Sequence, residues 1–124
     1  MINLQDMIER TKTHPEADKI GMITTHLGVV RGHSRDGKDV LAVQVEYERE
    51  RLDKIINEMK GKPGIVEVLV QANDGRVELG DELLAVVVAG DLRENVFPVL
   101  IDTVNRIKAS ACRKKEVYKE ETIL

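Results

Sequence analysis

The sequence predicts an α+β domain on a largely antiparallel sheet, with elements in the order α-β-β-α-β-β-α. Three observations carry this prediction. Strand-like stretches come in pairs between stretches of helical period; Asp36-Gly37 and Asn73-Asp74-Gly75 mark turns inside those pairs; and the regular β-α-β alternation of a doubly wound fold is missing. At 124 residues and 42% hydrophobic content the chain suits one core and one domain, expected over residues 1–115. Residues 116–124 read as a tail that orders only on a partner.

Leu4, Met7, Ile8 and Thr11 recur at helical spacing behind Asn3, an N-cap residue, and His14-Pro15 ends that helix because the residue before proline is pushed out of the α region. From Lys19 to Arg31 the chain is rich in Ile, Thr and Val and carries Gly21 and Gly28, which suits a long strand bent by a bulge or a close contact. Val40 to Tyr47 reads as its hairpin partner, returning through Asp36-Gly37. Leu52, Ile55, Ile56 and Met59 make one face of a second helix that stops at Gly61-Lys62-Pro63-Gly64. Ile65 to Gln71 is a third strand, and Leu83 to Val88, apolar on both faces, is a strand covered on both sides. Phe97, Leu100, Ile101, Val104, Ile107 and Ala111 then form the stripe of a long last helix. Its start falls between Asp91 and Asn95, because Pro98 is tolerated in a first turn and costs about 3 kcal/mol in a helix interior.

Composition excludes several classes of function. Only Tyr47, Tyr118 and Phe97 are aromatic, so base stacking and carbohydrate platforms have little to build on. A net charge of −3 removes the electrostatic case for coating nucleic acid, and no apolar run is long enough to span a membrane. Cys112 is the only cysteine, which excludes an intrachain disulfide and a multi-cysteine zinc site and points to a reducing compartment. The acidic residues near the N-terminus do not fit a secretion signal, so a cytoplasmic location is expected. His14, His26 and His33 have no metal-site spacing, and no metal is expected. The glycines match neither a P-loop nor a dinucleotide fingerprint.

A small anionic ligand remains. Between Asn105 and Lys119 stand Arg106, Lys108, Arg113, Lys114, Lys115 and Lys119, against the single acid Glu116. Two readings stay open: cations compensating a helix C-terminus, and a binding site. Lys108 flanks the buried stripe one turn after Val104, where it either snorkels or lines a pocket as an acid or base. Arg31 and Arg93, near the ends of strands, are suited to bidentate contact with phosphate or carboxylate. Cys112 reads as a small helical filler.

Taken in order, Gly28-Val29-Val30-Arg31, Asp36-Gly37-Lys38-Asp39-Val40, Val45-Glu46-Tyr47-Glu48, Val77-Glu78-Leu79-Gly80-Asp81-Glu82, Arg93 with Phe97, and Lys108 followed by Lys114-Lys115-Glu116 resemble the large, catalytic subunit of molybdopterin synthase. The resemblance spans about residues 3 to 116. It implies an α/β hammerhead fold, a homodimer, and a ubiquitin-like small subunit whose C-terminal Gly-Gly thiocarboxylate enters a pocket. There it implies transfer of sulfur to cyclic pyranopterin monophosphate, with no cofactor. Lys108 and Lys114 match the family's two catalytic lysines, Arg31 and Arg93 match pocket arginines, and Lys115 is a further substrate-binding candidate or the alternative to Lys114. Leu92-Arg93 stands where the family usually has His-Arg, and Ala111-Cys112-Arg113 where it has Pro-aromatic-Trp. The alternative is therefore a diverged, non-catalytic paralogue that binds a ubiquitin-like partner or a small anion.

Overall fold

A computed structural model describes residues 1–119. Its elements are α1 (Leu4–Lys12), β1 (Met22–Val29), β2 (Val40–Tyr47), α2 (Arg49–Lys60), β3 (Ile65–Ala72), β4 (Gly75–Glu78), β5 (Glu82–Gly90), α3 (Arg93–Arg106) and β6 (Cys112–Tyr118). A 3-10 turn at Ala17–Lys19 follows α1, and a π-helical turn at Ile107–Ala111 joins α3 to β6. The strands form two antiparallel sheets, β1-β5-β3 and β4-β2-β6, which is the α+β class that the patterning predicts.

β5 organises the larger sheet. Leu84, Val86 and Val88 pack on one face beneath α2 and α3, against Leu52, Ile55, Val96 and Ile107, while Ala85 and Val87 pack on the other against Ile2 and Met7 at α1. Covering both faces removes every side chain from Leu84 to Ala89 from water, at about 1.5–3 kcal/mol for each fully buried valine. The Asn3 side chain caps α1 by accepting from the Asp6 amide at 3.0 Å. Gly21 and Gly28 both act as expected. A Cβ at Gly21 would lie 2.1 Å from the Asp91 carbonyl oxygen, and the β1–β5 register shifts between Gly28 and Val29.

The hairpin expected between the first two strands does not form. Asp36-Gly37 does turn the chain, with Gly37 at φ 85°, but β1 pairs with β5 and β2 pairs with β4 and β6. The turn signal is local, whereas β1 has a longer apolar partner in β5; the strands that flank the turn separate into different sheets. The Asn73-Asp74-Gly75 turn is also present, and it leads into β4, a short strand absent from the expected order. The Asp74 carboxylate accepts from the Tyr47 amide at 2.8 Å and pairs with Arg49, tying that turn to the start of α2.

The last helix is shorter than its periodicity suggests. α3 begins at Arg93, inside the expected window, and ends at Arg106, and β6 then pairs with β2 from Tyr118–Val40 to Cys112–Tyr47. Glu116, Val117 and Tyr118 of the expected tail therefore belong to the sheet, and residues 120–124 lie outside the described residues. The inward stripe is also rotated. Val96, Val99, Thr103, Ile107 and Ala111 are buried, whereas Phe97 and Ile101 are exposed. Among the described residues no helix is long and apolar enough to cross a membrane.

Candidate functional site

A cleft of about 950 Å³ spans the two sheets, floored by β1 and β5 and walled by β2, the π turn and β6. This is near the upper end of the size of small-molecule sites. β6 builds one wall by strand alternation. Cys112, Lys114, Glu116 and Tyr118 line the cleft, and Arg113, Lys115 and Val117 point the other way. Lys114 and Lys115 are thus separated by the pleat of the strand. A strand was not expected here because Arg113-Lys114-Lys115-Glu116 carries no apolar alternation; the open edge of β2 decides it.

Lys108 reaches the cleft from the π turn. Ile107 and Ala111 are both fully buried in the main core and anchor the turn from within. Arg51 donates to the Ser110 carbonyl at 2.8 Å, and the Glu48 amide donates to the Ala111 carbonyl at 2.9 Å, satisfying carbonyls that the end of the helix would leave open. Arg31 and Arg35 enter from beyond β1. The cleft is thus lined by four cations, Arg31, Arg35, Lys108 and Lys114, against two carboxylates, Asp36 and Glu116, in a chain of net charge −3.

Ion pairing divides the basic cluster. Arg106 pairs with Glu58, whose carboxyl it holds below the usual range, and Arg113 pairs with Glu48 at 3.6 Å. Among the described residues Arg31, Lys108 and Lys114 have no ion-pair partner. Compensation of a helix dipole does not account for Lys114 or Lys115, because both stand on a strand.

The floor is half-buried and less charged. Tyr47 donates to the Leu83 carbonyl at 3.3 Å, and burial, with Cys112 beside it, raises its phenol well above the ordinary value. Burial also pushes the Cys112 thiol up, only partly offset by the Tyr47 hydroxyl, Lys114 and Lys108. Cys112 is a cleft residue on a strand rather than a helical filler. His26, weighed from the sequence only as a metal ligand, is a further cleft residue. Its signal was its phase, two residues before Gly28 on the inward face of β1.

Arg93 does not join this cleft within one chain. It lies in a shallow recess with Gly21, Met22 and Phe97, and pairs with Glu94 at 3.3 Å. That recess sits at the opposite end of β1 from Arg31, roughly 23 Å away at about 3.3 Å per residue. The structure brings together Arg31, Lys108 and Lys114, and leaves Arg93 and Lys115 outside.

The family model for MoaE protein matches residues 1–110. The chain belongs to the MoaE family. Over 98% of its length this MoaE-family chain is 28% identical to a probable molybdopterin synthase of Haloferax volcanii, of which it spans about half, 47%. Its fold superimposes on molybdopterin synthase from Staphylococcus aureus with a TM-score of 0.80, at 19% identity, covering 97% of this chain and 88% of that one. A complex of subunits 1 and 2 of molybdopterin-converting factor from Helicobacter pylori gives a TM-score of 0.70 at 17% identity, covering 97% of this chain and 86% of that one. At these identities the solved structures establish the fold, and with the family match they agree with the hammerhead-type α+β class and the large-subunit resemblance.

Proposed function

We propose that this chain is the catalytic large subunit of a molybdopterin synthase, transferring sulfur from a thiocarboxylated ubiquitin-like small subunit to cyclic pyranopterin monophosphate. The observation that carries the reading is the convergence on one cleft of Arg31, Lys108 and Lys114, which have no ion-pair partner among the described residues. Substrate phosphate and the partner's thiocarboxylate are both anionic, and an adduct at the tail's acyl carbon gathers negative charge that fixed cations stabilise. Lys108 serves as acid or base, Lys114 on β6 as its partner, and Arg31 as the bidentate anion clamp. The two-subunit complex of the Helicobacter pylori relative supports a small-subunit partner, and the single cysteine suits a reducing, cytoplasmic setting.

The test is reconstitution from purified full chain, thiocarboxylated small subunit and cyclic pyranopterin monophosphate, read as dithiolene product. The pleat of β6 predicts an asymmetry: Lys114→Ala loses about tenfold or more in rate, and Lys115→Ala stays within about twofold. Sensitivity at Lys115 with indifference at Lys114 would reverse the assignment. Absence of product with the unmodified chain favours the non-catalytic paralogue.

A homodimer is part of the same reading. Leu92, Phe97 and Ile101 expose an apolar strip around Arg93, with Ile101 59% exposed. A second copy seated on this strip would bury it, and would give Arg93 a route into the partner's cleft that it lacks in its own. Ile101→Asp is expected to convert a dimer to a monomer in sedimentation analysis. A dimer of unchanged strength would move the interface elsewhere.

A further inference from the structure

His26 is the one residue among those described whose side chain buries a polar atom, Nε2, with no hydrogen-bond partner. Leaving such a group unpaired costs about 1–3 kcal/mol, so its isolation calls for an explanation. Its surroundings supply one. The imidazole lies over Gly28, where a Cβ would come within 3.2 Å of Nε2, so the missing side chain makes room for the ring. Beneath it β5 offers only the apolar Leu84 and Val86. The ring faces the cleft that Lys108, Lys114 and Arg31 line.

We propose that His26 is a ligand-contacting residue of the cleft, whose ring takes a proton from solvent as an anionic group enters and donates Nε2–H to that group. This rests on reading the cleft as an anion site. In the free protein burial, followed by the Lys108 charge, holds His26 below the ordinary histidine value, which favours the neutral ring. The other titratable groups lining the cleft are Tyr47 on β2, Cys112, Lys114, Glu116 and Tyr118 on β6, and Arg31, Arg35 and Asp36 beyond β1. An anion seated among the cations offsets the Lys108 charge and gives the imidazolium a partner, so the affinity of His26 for a proton rises. By linkage the anion binds more tightly as pH falls through the bound-state midpoint, and the gain is complete below the free-state midpoint. His26 thus becomes a further cationic contact only when the site is filled.

The experiment is imidazole NMR of the full chain across pH, with and without inorganic pyrophosphate, the His26 signal being assigned by its loss in His26→Gln. The midpoint is expected to rise by about one unit with saturating pyrophosphate, which corresponds to about tenfold tighter binding at low pH. In His26→Gln that pH-dependent gain disappears, and an unchanged thermal unfolding midpoint shows that the fold is intact. If backbone signals of Lys108 and Lys114 respond to pyrophosphate while the His26 midpoint stays fixed, His26 does not contact the ligand and the inference is overturned. If none of these signals responds, the reading of the cleft as an anion site fails, and the inference falls with it.

Discussion

Replacing Lys108 by alanine is expected to lower product formation by about 100-fold or more while leaving the fold unchanged. The activity loss follows from position. Lys108 reaches the cleft from a turn anchored on both sides of it by Ile107 and Ala111, so the ammonium is carried by a rigid support. The intact fold follows from exposure. Lys108 has no ion-pair partner among the described residues and stands at the rim, where substitutions usually stay within about 0.5 kcal/mol. Lys108→Arg separates charge from proton transfer, since guanidinium keeps the positive charge at every accessible pH and cannot serve as a base. Binding of pyrophosphate should survive in Lys108→Arg and turnover should not. Conversion of the pterin at the unmodified rate by Lys108→Ala would remove this lysine from the chemistry.

The parts of the fold legible in the sequence are those governed by local pattern or by burial on two faces. Val86, Val87 and Val88 announce a covered strand because no amphipathic element tolerates such a run, and α2 keeps Leu52, Ile55 and Met59 inward at helical spacing. What escapes is decided by partners far along the chain. β6 is a strand because β2 has an edge to fill; the long helix is cut at Arg106 for the same reason. The stripe Phe97-Ile101 obeys helical period as well as Val96-Thr103 does, and only the position of β5 selects between them. The site divides likewise. Arg31, Lys108 and Lys114 were named from their order along the chain, whereas the separation of Lys114 from Lys115 onto opposite faces needed the pleat of a strand, and His26 needed the depth of the cleft. Arg93 shows the converse, a residue matched by order that one chain alone leaves roughly 23 Å along β1, at about 3.3 Å per residue.

Ile107→Ala is expected to be the most destabilising of these substitutions and to cost activity beyond its effect on stability. Ile107 is fully buried, packed in the cluster that joins α2, α3 and β5, and its truncation leaves a cavity worth about 2–5 kcal/mol. For a chain of this size that lowers the melting temperature by roughly 10 °C or more. Ile55→Ala, on α2 in the same cluster, is a control of like chemistry. Both variants lose stability, but only Ile107 sits next to Lys108 and holds the π turn from inside. At a temperature well below either transition, Ile107→Ala should turn over the pterin at least about tenfold more slowly than Ile55→Ala, because small misplacements of a reacting group are costly in rate. Equal activities would mean that the turn keeps its shape without its anchor. The carbonyl contacts of Arg51 and the Glu48 amide would then be the features that aim Lys108 into the cleft.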